Sequence, residues 1–194
     1  MSDTNAGLGT IAVIGSGNIG GSLGRAFARA GHTVVFGARK PDAPDAVTLA
    51  EAVAAGETVV LAIPADAVEG FLREHGPALA GKLLLDATNR FPGPVLHSAD
   101  LVAELAPGAR YARAFNSQPW ETYVDPLWDG VPGSLFYTVA DESDAPTLEA
   151  LIEAVGLAPA SAGVNRPDLL DAALFLLFPS MQKGRHTGLK VLHD

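Results

Sequence analysis

Gly15-Ser16-Gly17-Asn18-Ile19-Gly20 stands directly after the apolar run Thr10 to Ile14 and opens a helical pattern, Ile19 to Ala30, that stops at Gly31. Three glycines at this spacing mean little alone; a strand before and a helix after make them a phosphate-binding turn. Gly15 permits the tight turn, Gly17 lets backbone N–H groups approach a pyrophosphate, and Gly20 lets helix pack closely on strand. Ser16, Asn18 and Ile19 complete the loop and first turn, whose free N–H groups and positive dipole end attract an anion. Gly24, one turn on, removes another side chain from the face turned to the sheet. The alternative is a glycine-rich turn without a ligand, and the flanking strand, helix and next strand weigh against it.

Outward from this turn, short β-branched runs alternate with helical patterns, the signature of right-handed βαβ units in a parallel sheet. Strands are expected at Thr10 to Ile14, Thr33 to Phe36, Thr58 to Ile63, Lys82 to Asp86, Tyr111 to Phe115 and Leu135 to Ala140. Their near-continuous apolar character suits strands covered on both faces. Helices are expected at Val47 to Ala55 and Asp66 to His75, ended by Gly56 and Gly76, at Ala99 to Ala106 after an N-cap Ser98, and at Thr147 to Val155 after a first-turn Pro146. The expected architecture is α/β: a Rossmann-type doubly wound, mainly parallel sheet with a C-terminal helical extension. Residues 1–165 would form the dinucleotide-binding domain and 166–194 the extension, packed on that domain or on a dimer partner.

Composition narrows the function. The 22 acidic against 13 basic residues give a formal net charge of -9, which repels nucleic-acid backbones. Cysteine is absent, so thiol nucleophiles and thiolate metal sites are excluded. Met1 to Gly9 shows no basic region followed by an apolar stretch, and a cytoplasmic location is expected. The longest apolar run, Ala172 to Phe178, is far shorter than the roughly 20 residues of a membrane span. No metal-ligand or nucleophile motif appears, and no catalytic dyad is evident. His32, His75, His97, His186 and His193 are scattered and read as structural or solvated.

The second strand runs into Ala38-Arg39-Lys40, about 20 residues after the glycines, where an acid usually meets the ribose 2′-hydroxyl of NAD. Two cations stand there instead, and a guanidinium suits a 2′-phosphate through a bidentate pair. The expected cofactor is therefore NADP(H); a solvated loop is the other reading. Ala62-Ile63-Pro64, Thr88-Asn89 and Asn116 follow the third, fourth and fifth strands. The carboxyl ends of parallel strands border the ligand crevice, so these residues are candidates for the cofactor site, with Thr88, Asn89 and Asn116 at the nicotinamide half. Asn is also a common turn residue, and that reading stays open. Trp120, Tyr123 and Trp128 either line an acceptor pocket or pack in the core.

Together, Gly15 to Gly20, Gly37-Ala38-Arg39-Lys40, Ile63-Pro64, Asp86-Ala87-Thr88-Asn89, Ala114-Phe115-Asn116 and the tail Gly184-Arg185 to Lys190 resemble the NADPH-dependent oxidoreductases of coenzyme F420 and the related N-terminal domain of ferric metalloreductases. The resemblance covers nearly the whole chain. It implies hydride transfer between NADP(H) and a deazaflavin or flavin co-substrate. The family commonly has Ser before the Arg that binds the 2′-phosphate, and Ala38 lacks that hydroxyl. A reductase of a small carbonyl or imine compound, and a non-catalytic NADP(H) sensor, are the alternatives.

Two further expectations concern the C-terminus. Lys183, Arg185, His186 and Lys190 gather positive charge that would attract an anionic acceptor docked between the Pro64, Asn89 and Asn116 loops and the tail. From Leu169 to Phe178 no polar face remains after Asp171, and a helix apolar all round must be buried. A homodimer would bury it; folding of Trp120 to Trp128 over its outer stripe is the alternative.

Overall fold

The computed structural model describes residues 9–41, 43–181 and 187–192. Along the chain come β1 (Thr10–Ile14), α1 (Asn18–Arg29), β2 (Thr33–Ala38), β3 (Ala46–Thr48), α2 (Leu49–Ala55), β4 (Thr58–Leu61), α3 (Ala65–His75), β5 (Leu83–Asp86) and α4 (Ala99–Leu105). There follow β6 (Arg110–Arg113), β7 (Leu127–Trp128), β8 (Val131–Pro132), β9 (Ser134–Val139), α5 (Ala145–Ala154), β10 (Ala158–Val164) and α6 (Pro167–Met181).

Eight strands form one sheet in the order β10-β9-β6-β5-β4-β1-β2-β3, and β7 pairs with β8 in a separate ribbon. From β3 to β6 every pairing is parallel; β9 joins β6 antiparallel and β10 runs parallel to β9. This is the doubly wound, mainly parallel α/β sheet expected. The order reverses between β1 and β4, and at that switch point a crevice opens beyond the strands' carboxyl ends.

Alternation along β1 sends Ile11 and Val13 to one face and Ala12 and Ile14 to the other. The first pair packs with Leu23 and Phe27 of α1 and Leu148, Leu151 and Ile152 of α5. The second packs with Val53 of α2, Phe71 and Leu72 of α3 and Val102 of α4. Each fully buried Leu or Phe contributes about 1.5–3 kcal/mol, so the two layers hold the crevice walls firmly.

The structure departs from the sequence expectation in several places. Val47 and Thr48 pair with Gly37 and Ala38 as strand β3, so α2 starts at Leu49, capped reciprocally by Thr48 and Glu51. Strand β10 was not expected; Ala158 to Ser161 pair in register with Ser134 to Tyr137 on β9. Pro146 does stand in the first turn of α5. Ser98 precedes α4 without making a side-chain cap, because its N–H donates to Asp86 and its hydroxyl faces Thr88.

Helix α6 buries Pro167, Leu170, Asp171, Leu174 and Leu177. Its other side leaves Phe175 45% and Leu176 80% exposed, beside a half-exposed Phe91 whose ring meets those of Phe175 and Phe178. The segment from Trp120 to Trp128 packs elsewhere: Tyr123 is buried against Phe115, and the Trp128 ring lies over Gly133 and Gly188. No helix of the described residues is long and apolar enough to cross a membrane.

Candidate functional site

The turn between β1 and α1 works by what it lacks. Gly15 has φ +103, and a Cβ there would stand 2.5 Å from the Ala62 carbonyl oxygen. A Cβ on Gly20 would stand 1.9 Å from the Gly15 oxygen, and one on Gly24 would meet the Phe36 ring at 2.4 Å. Only glycine fits at these three positions. Gly17 is different, since a Cβ there meets nothing within 4 Å. It is the N-cap of α1, it makes no side-chain cap, and the first turn carries no acid. The uncapped N–H groups of that turn therefore remain free for an anion.

A cavity of about 530 Å³ lies against this turn. It brings together Gly15, Ser16 and Gly17 with Ala38 and Arg39 after β2 and with Ala62, Ile63 and Pro64 after β4; Gly70, Phe71 and Glu74 of α3 close the far wall. Lys40 joins Ala38 and Arg39 around an adjoining hollow of about 500 Å³. Neither Arg39 nor Lys40 forms an ion pair with a described residue. Asn18, Ile19 and Gly20 form the first turn of α1. The residues present thus fit a dinucleotide: free N–H groups for the pyrophosphate, unpaired cations for a 2′-phosphate and an apolar slot for the base.

Thr88, Asn89 and Asn116 do not line that cavity. Thr88 is buried, and its hydroxyl donates to Asp86 Oδ1 at 2.6 Å. Asn89 Nδ2 donates to the Asn116 carbonyl at 2.8 Å, while its Oδ1 accepts from Arg113 Nη2 at 3.1 Å. Asn116 is buried, and its Nδ2 donates to the Leu170 carbonyl of α6 at 3.4 Å. The buried amide oxygens of Asn116 and Gln118 have no hydrogen-bond partner among the described residues. Between them and β6 lies Phe115, a buried bulky residue at φ 61. That left-handed conformation costs on the order of 1–3 kcal/mol and persists only where the surroundings enforce it.

Sequence reasoning missed the group that orders this side. Asp86 accepts from Thr88, Ser98, Tyr111 and Arg113, and burial together with the Asp86 charge pushes the Tyr111 phenol well up. Arg113 and Asp171 complete the cluster. The available signal was a charge inside each of two apolar segments, Arg113 in Tyr111 to Phe115 and Asp171 in Leu169 to Phe178. Of the basic tail residues, Lys183, Arg185 and His186 lie outside the described residues, as does His193. Lys190 is exposed, and Leu189 bridges to Ser134 at the start of β9.

The match to known proteins follows the same geometry. A candidate F420-dependent NADP-reductase from Arthrobacter sp. FB24 superposes with a TM-score of 0.82 at 21% identity, over 95% of this chain and 100% of that one. A hypothetical protein, SMa0349, from Sinorhizobium meliloti gives 0.72 at 27% identity over 96% of both chains. A reductive aminase from Aspergillus terreus gives 0.70 at 22% identity, and this chain, 91% of it covered, spans 63% of that protein's length. Residues 10–90, which hold the glycine turn, Arg39, Pro64 and Asn89, match the family model of coenzyme F420-dependent NADP oxidoreductases, and over that part the chain is similar to that family.

Proposed function

We propose that the chain transfers a hydride between NADP(H) and a flat deazaflavin, F420-like or flavin acceptor. The observation that carries this reading is the crevice shared by the uncapped glycine turn and by Arg39, which makes no ion pair among the described residues. Bound NADPH supplies a hydride from its nicotinamide ring, and such transfer needs positioning and exclusion of water rather than a protein nucleophile. The work left to the chain is to hold phosphates at Ser16 to Gly20, the 2′-phosphate at Arg39 and Lys40, and the ring beside Ile63, Pro64 and the Asn89–Asn116 pair. Ala38 adds no hydroxyl, so the two cations carry the phosphate contact alone. A cytoplasmic location goes with this reading.

The acceptor is tested by following reduced nicotinamide absorbance with a panel of a deazaflavin, flavins, imines and carbonyl compounds. Turnover with the deazaflavin or a flavin, and none with the others, is the expected result. Turnover confined to imines or carbonyls overturns the acceptor class, and tight NADPH binding without turnover makes the chain a sensor.

The reading includes a second copy of the chain seated on the outer stripe of α6. Support comes from the apolar patch of Phe91, Leu169, Phe175, Leu176 and Phe178, uncovered within one chain. It contains no charge, so two copies each of net charge -9 meet there without placing like charges face to face. Because the same helix reaches Asn116 through Leu170, the partner would lie close to the acceptor side of the crevice.

A further inference from the structure

Among the described residues, Arg113 is the largest side chain with no exposure at all. Removing a guanidinium from water costs several kcal/mol, recovered only through well-placed acceptors; here the two terminal nitrogens find them, while Nε has none among the described residues. Its Nη1 donates to the Thr88 carbonyl at 2.9 Å and to Asp86 Oδ2 at 3.2 Å. Its Nη2 donates to Asn89 Oδ1 at 3.1 Å and to Asp171 Oδ1 at 2.8 Å. Four acceptors in two directions require a planar fork; an ammonium is a point charge with no such geometry. Asp171 Oδ2 meanwhile accepts from the Leu96 and His97 backbone, which fixes α6 to the loop before α4.

Two of the four acceptors, Thr88 and Asn89, lie on irregular chain just beyond β5, whereas Asp86 ends that strand and Asp171 stands on α6. An amide side chain can point either way, but a donor at Arg113 forces the Asn89 oxygen inward. The Asn89 nitrogen then faces outward to the Asn116 carbonyl, one residue beyond the left-handed Phe115. We propose that Arg113 is a positioning residue: it sets Thr88 and Asn89 at the nicotinamide side of the crevice, and it makes that setting depend on the seating of α6 through Asp171. This inference rests on the NADP(H) reading above and adds to it the residue that shapes the reacting half of the site.

The test separates the two halves of the cofactor with two probes, NADPH and 2′,5′-ADP, which lacks the nicotinamide. Affinities are measured in the parent and in Arg113→Met, Arg113→Lys and Asp171→Asn, each checked for folding by circular dichroism. The expected result is that the advantage of NADPH over 2′,5′-ADP falls about tenfold in Arg113→Met and about threefold in Asp171→Asn, less than a charge-assisted hydrogen bond to the cofactor itself would give, because Arg113 acts through Thr88 and Asn89. Arg113→Lys restores part of it, and 2′,5′-ADP affinity stays within about twofold throughout. If Arg113→Met does not fold, Asp171→Asn decides. An unchanged advantage in the folded variants overturns the role of Arg113, as does an equal loss for both probes, which marks general damage. A parent protein that binds neither probe overturns the cofactor reading itself, and the inference with it.

Discussion

The two ends of the crevice are built on opposite principles. On the side proposed for the adenosine, the working parts are backbone and missing side chains: Gly15, Gly17 and Gly20, with Arg39 and Lys40 in no ion pair among the described residues. On the side where the nicotinamide is proposed to lie, the working parts are side chains committed to one another, with Arg113 among Asp86, Asn89 and Asp171. At Gly15 and Gly20 the first end has no room for an added atom; the second cannot lose one. A backbone cradle is rigid because the sheet holds it, whereas a buried charge network is rigid only while complete.

The contrast is broken most severely at Gly20. Gly20→Ala drives a Cβ into the Gly15 carbonyl, and overpacking against backbone costs about 3 kcal/mol, a fall in Tm of roughly 6 to 12 °C for a chain of this size. Gly17→Ala places the same methyl in open space, so Tm should hardly move while NADPH affinity falls. If both variants melt alike, the cradle has been misread.

Arg39→Ala should remove most of the preference for NADPH over NADH. A charge-assisted pair is worth about 1.5 to 3 kcal/mol, roughly ten- to hundredfold. NADH binding should stay nearly constant, and equal affinities for the two cofactors in the unaltered protein would defeat the assignment. Leu176→Asp puts a charge on the most exposed point of the α6 patch. Stability of the single chain should change by no more than about 0.5 kcal/mol, while light scattering should show a dimer reduced to the 20.0 kDa of one chain. A parent protein already at that mass rejects the dimer.

The smallest effect appears only in alkali. Tyr111, Tyr123 and Tyr137 are all the tyrosines of the chain, and burial raises each phenol above 10.0, that of Tyr137 to about 12 with help from its hydrogen bond to Glu149. A pKa raised in the folded state favours folding below the unfolded value and loses that contribution as pH rises through the folded value. For Tyr137 the window runs from about 10 to about 12. Phenolate absorbance should therefore rise together with loss of structure; a tyrosine that ionises near 10 in intact protein would contradict the packing.

Legibility divides along the same line. The glycine turn and the β-branched strands around it carry their reasons locally, in backbone space and alternation, so β1, α1, β2 and β4 could be read from residues close in sequence. Strand β10 could not: Ala158-Pro159-Ala160-Ser161-Ala162-Gly163 has little strand character, and it is extended because β9 offers it an edge. The short β3 forms for the same reason. The Arg113 cluster joins residues 27 and 58 positions apart, a closeness that only the folded sheet and α6 create. Thr88 and Asn116 stood at the right strand ends, yet their side chains turn inward, a choice made by Asp86 and by the Leu170 carbonyl.

The buried carboxylates Asp86 and Asp171 also bear on motion. Between them they hold the backbone N–H groups of Thr88, Leu96, His97 and Ser98, none of which lies in a helix or strand. Amides in connecting segments ordinarily exchange with solvent within the shortest opening times. These four are bonded to charges that leave the interior only when the cluster comes apart. The amides of Thr88, Leu96, His97 and Ser98 should therefore trade their hydrogens at the pace of the central strands, the two ends of a loop that open only when the core does.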